Sequence, residues 1–444
     1  MADNVTAATT PADARPLSAS RQASYVLAIL TAINVLNYAD RGVFSLLLDS
    51  IKKEFRLTDT VMGLISGFGF VLFYSFLGLP IARWADRFNR RRILTAGLAI
   101  WSAMTCLCGF ARGAWQLAFA RFGVGAGEAC GVAPSHSMLS DLFSKQRLPY
   151  ALSVLTAGSS VGVFLGSVVG GVVNQYQGWR AAFFIAGLPG LAVALLFRLS
   201  VKEPQRGAME APGSGTSILT VAQTLFFLLR QRSYVLMVIG GSFIAVALFG
   251  FEVWTPPFLH RVHHLSSARI GTYQGVVALV FGVTGILLGG YLAEKLGRRN
   301  IRWRLNVPAL ACLLGCPMDL LFIFMPSRSA AILFWILARV CISAYTGPIY
   351  AVYQTVSKVR MRALASALFL FSGNVIGLGA GSWLIGLTST ILSQRYGDLS
   401  LRYALILPSL CAAFAGVLFW IGSYSLESDI ERASRPDADS AGGP

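Results

Sequence analysis

Charge is scarce in this 444-residue sequence: Asp, Glu, Lys and Arg together make up 13% of it, about half of the ~25% usual for a soluble globular domain. That deficit excludes a water-soluble surface. Acidic side chains are scarcer than basic ones, 20 against 37 Lys and Arg, and His occurs four times. Seven cysteines are an odd number, all lie in apolar stretches, and none forms a Cys-x-x-Cys pair. They are read as small buried hydrophobes, which excludes a disulfide framework and a metal cluster. His260, His263 and His264 have a ligand-like spacing but no further donor beside them, so no metal and no other cofactor is expected. No His-Glu-x-x-His and no paired nucleophile and base occurs in the apolar runs, which argues against a membrane enzyme. The net charge of +17 would suit nucleic acid, yet the basic residues come in short clusters between long apolar runs. A membrane surface fits them better, and no nucleic-acid partner is expected.

What the chain has in abundance is apolar length: 55% of it is hydrophobic. Residues 1–22 are polar, contain no signal-like apolar core and read as a disordered tail. Between 23 and 201, and again between 233 and 425, six apolar stretches follow one another, each near the ~20 residues needed to cross a bilayer. Residues 202–232 form a Pro/Gly/Ser-rich linker ending in a short interfacial helix around Ile218–Leu229, and 426–444 are a second disordered tail. With both termini placed inside, 24 of the 37 Lys and Arg lie on that side, 10 lie outside and three (Arg41, Arg121, Arg339) fall within the membrane. That excess predicts cytoplasmic termini.

The chain repeats itself. GLPIARWADRFNRRRIL after the second stretch is echoed by GGYLAEKLGRRNIRWRL after the eighth, with Asp86 matching Glu294, and Gly162, Gly166 and Gly170 are echoed by Gly373, Gly377 and Gly381. Two such halves of six helices, with a site between them at mid-membrane, are a common secondary-transporter plan. A channel would instead need rings of residues from several subunits.

The repeated loop resembles the signature of the major facilitator superfamily. NYADR at 37–41, ADRFNRR at 85–91 and RFGVGAGEA at 121–129, followed by Pro134 and DLF at 141–143, resemble its Spinster branch, and Asn89 is typical of that branch. The resemblance implies an all-α membrane protein of twelve transmembrane helices in two pseudo-symmetric six-helix bundles. It also implies a lipid transporter, taking a lysophospholipid or sphingolipid-like substrate and using protons; a monomer in a bacterial inner membrane is expected. The alternative is a proton-coupled organic-anion symporter of the same superfamily, with Arg41 and Arg121 holding a carboxylate. The glycines at 158–170 resemble the superfamily's antiporter signature but lack its proline.

Charges inside a bilayer cost about 2.5–3.5 kcal/mol each on insertion scales and need reasons. On a helical wheel Asn34, Asn37, Tyr38, Asp40 and Arg41 share one face, as do Arg121, Gly125, Glu128, Ser135 and His136. Asp40 and Glu128 are the expected proton-binding pair, each sharing its wet face with an Arg. Asn34, Asn37, Arg41, Arg121, Glu252, Trp254, Arg339 and Tyr345 are the expected substrate-binding or charge-relay groups. Arg339 repeats Arg121, but Thr346 stands in the place of Glu128. Asp319 is placed near enough to its helix end to be solvated, and His136 is expected to be hydrogen-bonded. Asp86, Arg87, Arg90, Arg91, Glu294, Arg298 and Arg299 are expected to close the cytoplasmic side. Phe243, Phe249, Phe251, Trp254, Tyr345, Tyr350, Tyr353, Phe369 and Phe371 supply an apolar inventory suited to an acyl chain.

Overall fold

Apolar backbone in a bilayer must satisfy its own N–H and C=O groups, and this sequence does so with helices. The computed structural model describes residues 17–144, 146–206, 221–358 and 361–435, and every regular element among them is helical. The first half contains α1 (Leu17–Phe55), α2 (Asp59–Ser66), α3 (Phe68–Arg87), α4 (Arg90–Phe110), α5 (Ala114–Glu128), α6 (Val132–Leu142), α7 (Leu148–Tyr176) and α8 (Trp179–Ser200). After the linker come α9 (Val221–Arg230), α10 (Arg232–His263), α11 (Ser267–Val276), α12 (Val283–Gly297), α13 (Trp303–Phe324), α14 (Arg328–Ser343) and α15 (Thr346–Thr355). The chain ends with α16 (Arg362–Ser372), α17 (Ser382–Tyr396), α18 (Ser400–Ala404) and α19 (Ile406–Ser434). Wider π-helical turns at Val277–Gly282 and Gly373–Gly381 join α11 to α12 and α16 to α17.

Nine described stretches are long and apolar enough to cross a membrane, and one of them, Leu364–Ser434, is 71 residues long. At about 20 residues per crossing that stretch can cross more than once. α1 begins at Leu17 and α19 continues to Ser434, so helix extends past both ends of the apolar region. The interfacial segment is α9, at Val221–Arg230. Residues 1–16 and 436–444 of the two expected tails, with residues 207–220 of the linker, lie outside the described residues.

Local chemistry explains several boundaries. Asn89, in the first copy of the repeated loop, caps α4 by accepting a hydrogen bond from the Arg92 amide at 2.9 Å. Thr58 caps α2. The helices pack through small residues, since lipid gives little hydrophobic drive between helices. A side chain at Gly158, Gly162, Gly166 or Gly170 of α7 would strike Thr31, Val35, Ala39 or Val43 of α1. Gly377 and Gly381 approach Ala245 and Val246 of α10 in the same way. The duplication seen in the glycines is therefore a duplication of helix packing.

The halves meet most closely at the end opposite the termini. There Gly63 and Gly67 lie against the backbone of Ser382 and Gly379, and Gly171 against Ser267. At the end that carries the termini and linker, the ion pairs made by Arg90, Glu294 and Asp429 each stay on their own side of the division between the halves.

Candidate functional site

Four charges meet in the middle of the first half. Arg41 on α1 donates from Nη2 to Glu128 Oε2 at 2.7 Å and from Nε to the same oxygen at 3.0 Å. Arg121 on α5 donates to Asp40 Oδ2 at 2.8 Å, and Thr105 on α4 donates to Asp40 Oδ1 at 2.9 Å. The pairs cross between helices, although the helical wheel puts each acid on one face with an Arg of its own span. Two acids and two guanidinium groups sum to zero, which is how a low-dielectric site tolerates them.

Aromatic rings complete the enclosure. Phe70 lies 4.8 Å from the Arg41 guanidinium and 5.6 Å from that of Arg121; Tyr74 and Tyr38 also face Arg41, and Phe44 faces Arg121 at 4.3 Å. Such cation–π contacts hold each cation whether or not its carboxylate is ionised. The two pairs differ in access. Arg121 and Asp40 are both closed off, whereas the Arg41 side chain is 18% exposed and that of Glu128 is 0% exposed. Glu128 Oε1 has no hydrogen-bond partner among the described residues. Glu128 is also the last residue of α5, where the chain loosens over 129–131 before α6 begins. The second half breaks similarly between α14 and α15, beside Tyr345.

The remaining expected residues divide. Asn34 donates to the Leu155 carbonyl at 2.7 Å and so ties α1 to α7, while Asn37 is buried. Trp254 is fully buried and donates to the Ser382 carbonyl at 3.0 Å; Tyr345 is buried and stacks with Phe419. Glu252 and Arg339 line, with Gln274, a cavity of about 20 Å³ between the halves. Of the aromatic inventory, Phe371 crosses to Phe76 of the first half at 5.7 Å, and Tyr350 joins Phe369 and Tyr353 in one cluster.

Two expectations are corrected. Asp319 is not solvated: it is 2% exposed, and its Oδ2 has no hydrogen-bond partner among the described residues. The surrounding helices cover it although it lies five residues from the end of α13. His136 is exposed and makes no hydrogen bond among the described residues, so it is not held as expected.

In this conformation the loop charges at the terminus end organise their own halves. Arg90 is paired with Asp141 and with Glu203 (2.8 Å), and the Arg91 amide donates to Glu203 at 2.8 Å. Glu294 and Arg298 pair one turn apart on an exposed surface, and Arg87 and Arg299 are exposed. The Asp86 side chain lies outside the described residues.

A further ionic cluster at the opposite end was missed by sequence reasoning. Arg261 at the end of α10 binds Asp59 through both Nη atoms, at 2.7 and 2.9 Å, and Asp49 of α1 at 2.5 Å. Lys52 and Ser389 also hold Asp59, at 2.8 and 2.7 Å, and His260 meets Asp49 at 3.1 Å. This network bolts first-half helices to second-half ones. The available signal was opposite charge at matching ends of the first, second and seventh spans, but charge outside an apolar run is ordinary and attracts no notice.

Comparison with known proteins gives the chain its family. The family model described as Major Facilitator Superfamily matches residues 30–382. An MFS-type efflux pump of Mycolicibacterium smegmatis is 32% identical over 416 residues, covering 94% of this chain and 96% of the relative. A sphingosine-1-phosphate transporter of Danio rerio is 28% identical over 437 residues, covering 92% and 85%. Among solved structures, a bacterial homologue of the human lysosomal transporter Spinster, inward-facing and unoccupied, superimposes with a TM-score of 0.85 at 26% identity, covering 94% of this chain and 99% of that one. An all-helical chain with charges crossed inside its membrane-crossing helices, matched along most of its length by these relatives, is a multi-pass membrane transporter and not an enzyme, and it belongs to the Spinster branch of the major facilitator superfamily.

Proposed function

We propose that this transporter moves an amphipathic anionic lipid, of lysophospholipid or sphingolipid type, by alternating access coupled to protons. The observation that carries the proposal is the unequal access within the Arg41–Glu128 pair, with the cation partly open and the acid sealed. Protonating Glu128 removes the charge that holds Arg41 and frees a guanidinium for a phosphate or carboxylate head. Asp40, held by Arg121 and Thr105, is the second acid of the relay. An anionic head on Arg41 and a proton on Glu128 therefore favour each other's binding, and by linkage each strengthens the other equally.

Aromatic groups favour an amphipathic cargo over a small polar one, because Phe76, Phe371 and Tyr350 offer apolar surface where the halves face one another. The Asp49–Asp59–Arg261 bolt closes the outer side while the cargo path opens to the cytoplasm, with both termini and the linker cytoplasmic and the protein in a bacterial inner membrane. Twelve spans in two bundles enclose the path within one chain, so a monomer suffices.

The test is a thermal-shift and binding screen of the purified protein against lysophospholipids, sphingosine phosphate, short dicarboxylates and sugars. Lysolipid binding that tightens as pH falls, and loses its pH dependence in Glu128→Gln, is expected. Stabilisation by dicarboxylates or sugars and by no lysolipid would overturn the amphipathic site in favour of an organic-anion symporter.

A further inference from the structure

The first-half charges cancel, but those of the second half do not. Glu252, Asp319 and Arg339 bring two acids to one base, so the cluster carries an unbalanced negative charge if all three ionise. Asp319 bears the consequence, being 2% exposed with Oδ2 lacking any hydrogen bond among the described residues. The Arg339 guanidinium acts on it electrostatically. No ion pair joins them among the described residues, whereas the first-half pairs close to 2.7 and 2.8 Å.

Other neighbours offer no compensating charge. Cys316 on its own helix and Cys341 on α14 lie close enough to feel its charge, and neither supplies a positive one. The helices packed on α13 also bring Cys411 on α19 and Tyr345 on α15, neither of which is a cation. The ionisable groups of α12, such as Glu294, lie at its exposed far end. An ionised carboxylate in such surroundings is expensive, and a proton is the smallest remedy.

Arg339 connects this acid to the interface between the halves. It lines the ~20 Å³ cavity with Glu252 and Gln274, whose Nε2 donates to the Glu252 carbonyl at 3.3 Å and to Ser45 Oγ of the first half at 3.3 Å. A cavity of that size has room for about one water and none for a lipid. Gln274 Oε1 has no hydrogen-bond partner among the described residues. Glu252 in turn acts electrostatically on Tyr38, which faces Arg41 at 5.1 Å.

We propose that Asp319 is a third proton-binding acid of this transporter, in the second half, holding one proton while the outer end is bolted and exchanging it through the Glu252–Arg339 cavity. Loss of that proton leaves a carboxylate that draws Arg339 out of the cavity it lines with Glu252, so the proton's departure is felt at the interface. The site's use in coupling rests on the proton-driven reading above, but its occupancy does not.

Infrared titration of purified protein reads occupancy directly, through the C=O band of a protonated carboxylic acid. In an Asp40→Asn, Glu128→Gln background the first-half acids are silent. One buried carboxylic band that disappears on alkalinisation is expected to remain, and Asp319→Asn, nearly isosteric with the protonated acid, should remove it. Arg339→Gln, which leaves the carboxyl intact, should move the band's titration midpoint to higher pH. The assignment is overturned if no such band exists at any pH, if the band survives Asp319→Asn and vanishes in Glu252→Gln, or if sodium rather than pH removes it. Failure of first-half coupling would show separately, as a pH response unchanged by the Asp40→Asn, Glu128→Gln pair.

Discussion

Asp59 accepts hydrogen bonds from Arg261 and Ser389, pairs with Lys52 and is 3% exposed, so it gathers more cross-half contacts than any acid in the central site. Breaking a buried pair by removing one partner costs about 3–5 kcal/mol, because the other charge stays buried and alone. Arg261→Gln should therefore unbolt the outer end, and electron-electron spin distances between labels at Lys53 and Arg395 should lengthen. Both positions are exposed. An unchanged distance distribution would mean that apolar packing alone holds that end shut. Periodicity reveals which face of each helix is wet but not which helix each face meets. Asp40 and Arg41 are neighbours in sequence yet serve different partners on α5, a choice made by tertiary packing. Asp319 was misplaced for the same reason, since burial near a helix end depends on what covers it.

Two glycines look alike in sequence and act at different interfaces. Gly162 meets Val35 and Tyr38 inside the first half, whereas a Cβ added at Gly67 would come within 2.6 Å of the Gly379 and Leu378 carbonyl oxygens across the halves. Overpacking of this kind costs about 1–3 kcal/mol. Gly162→Val should lower the melting temperature in every conformation, since α1 and α7 stay together throughout. By contrast, Gly67→Val should melt nearly as the parent does but disfavour the outward-closed state, seen as the same Lys53–Arg395 lengthening. Equal destabilisation by both would contradict the division into two moving bodies. Apolar runs made the helices themselves legible, because lipid leaves an apolar segment few alternatives to a helix. The break over 129–131 and the π-helical turns were not legible, since hydropathy is continuous through them and only contacts with neighbouring helices fix their place.

For the whole molecule, orientation rests on the distribution of Lys and Arg, which biases insertion only through short flanking loops. A membrane-impermeant maleimide applied to intact cells should label a cysteine placed at Arg395 and spare one placed at Arg435, with both labelled after permeabilisation. The reverse pattern would invert the topology and turn the bolt into a cytoplasmic one. Coupling is the larger claim: protons on Asp40 and Glu128 must bias one closed arrangement against the other, and a charge-assisted hydrogen bond worth about 1.5–3 kcal/mol is enough to shift a balanced equilibrium roughly tenfold or more. The most direct test is the pH dependence of the Lys53–Arg395 distance distribution, in the parent protein and in the Asp40→Asn, Glu128→Gln double variant. The populations should redistribute with pH in the parent, and that response should be largely lost in the double variant; a shift that persists undiminished there would contradict proton coupling through Asp40 and Glu128.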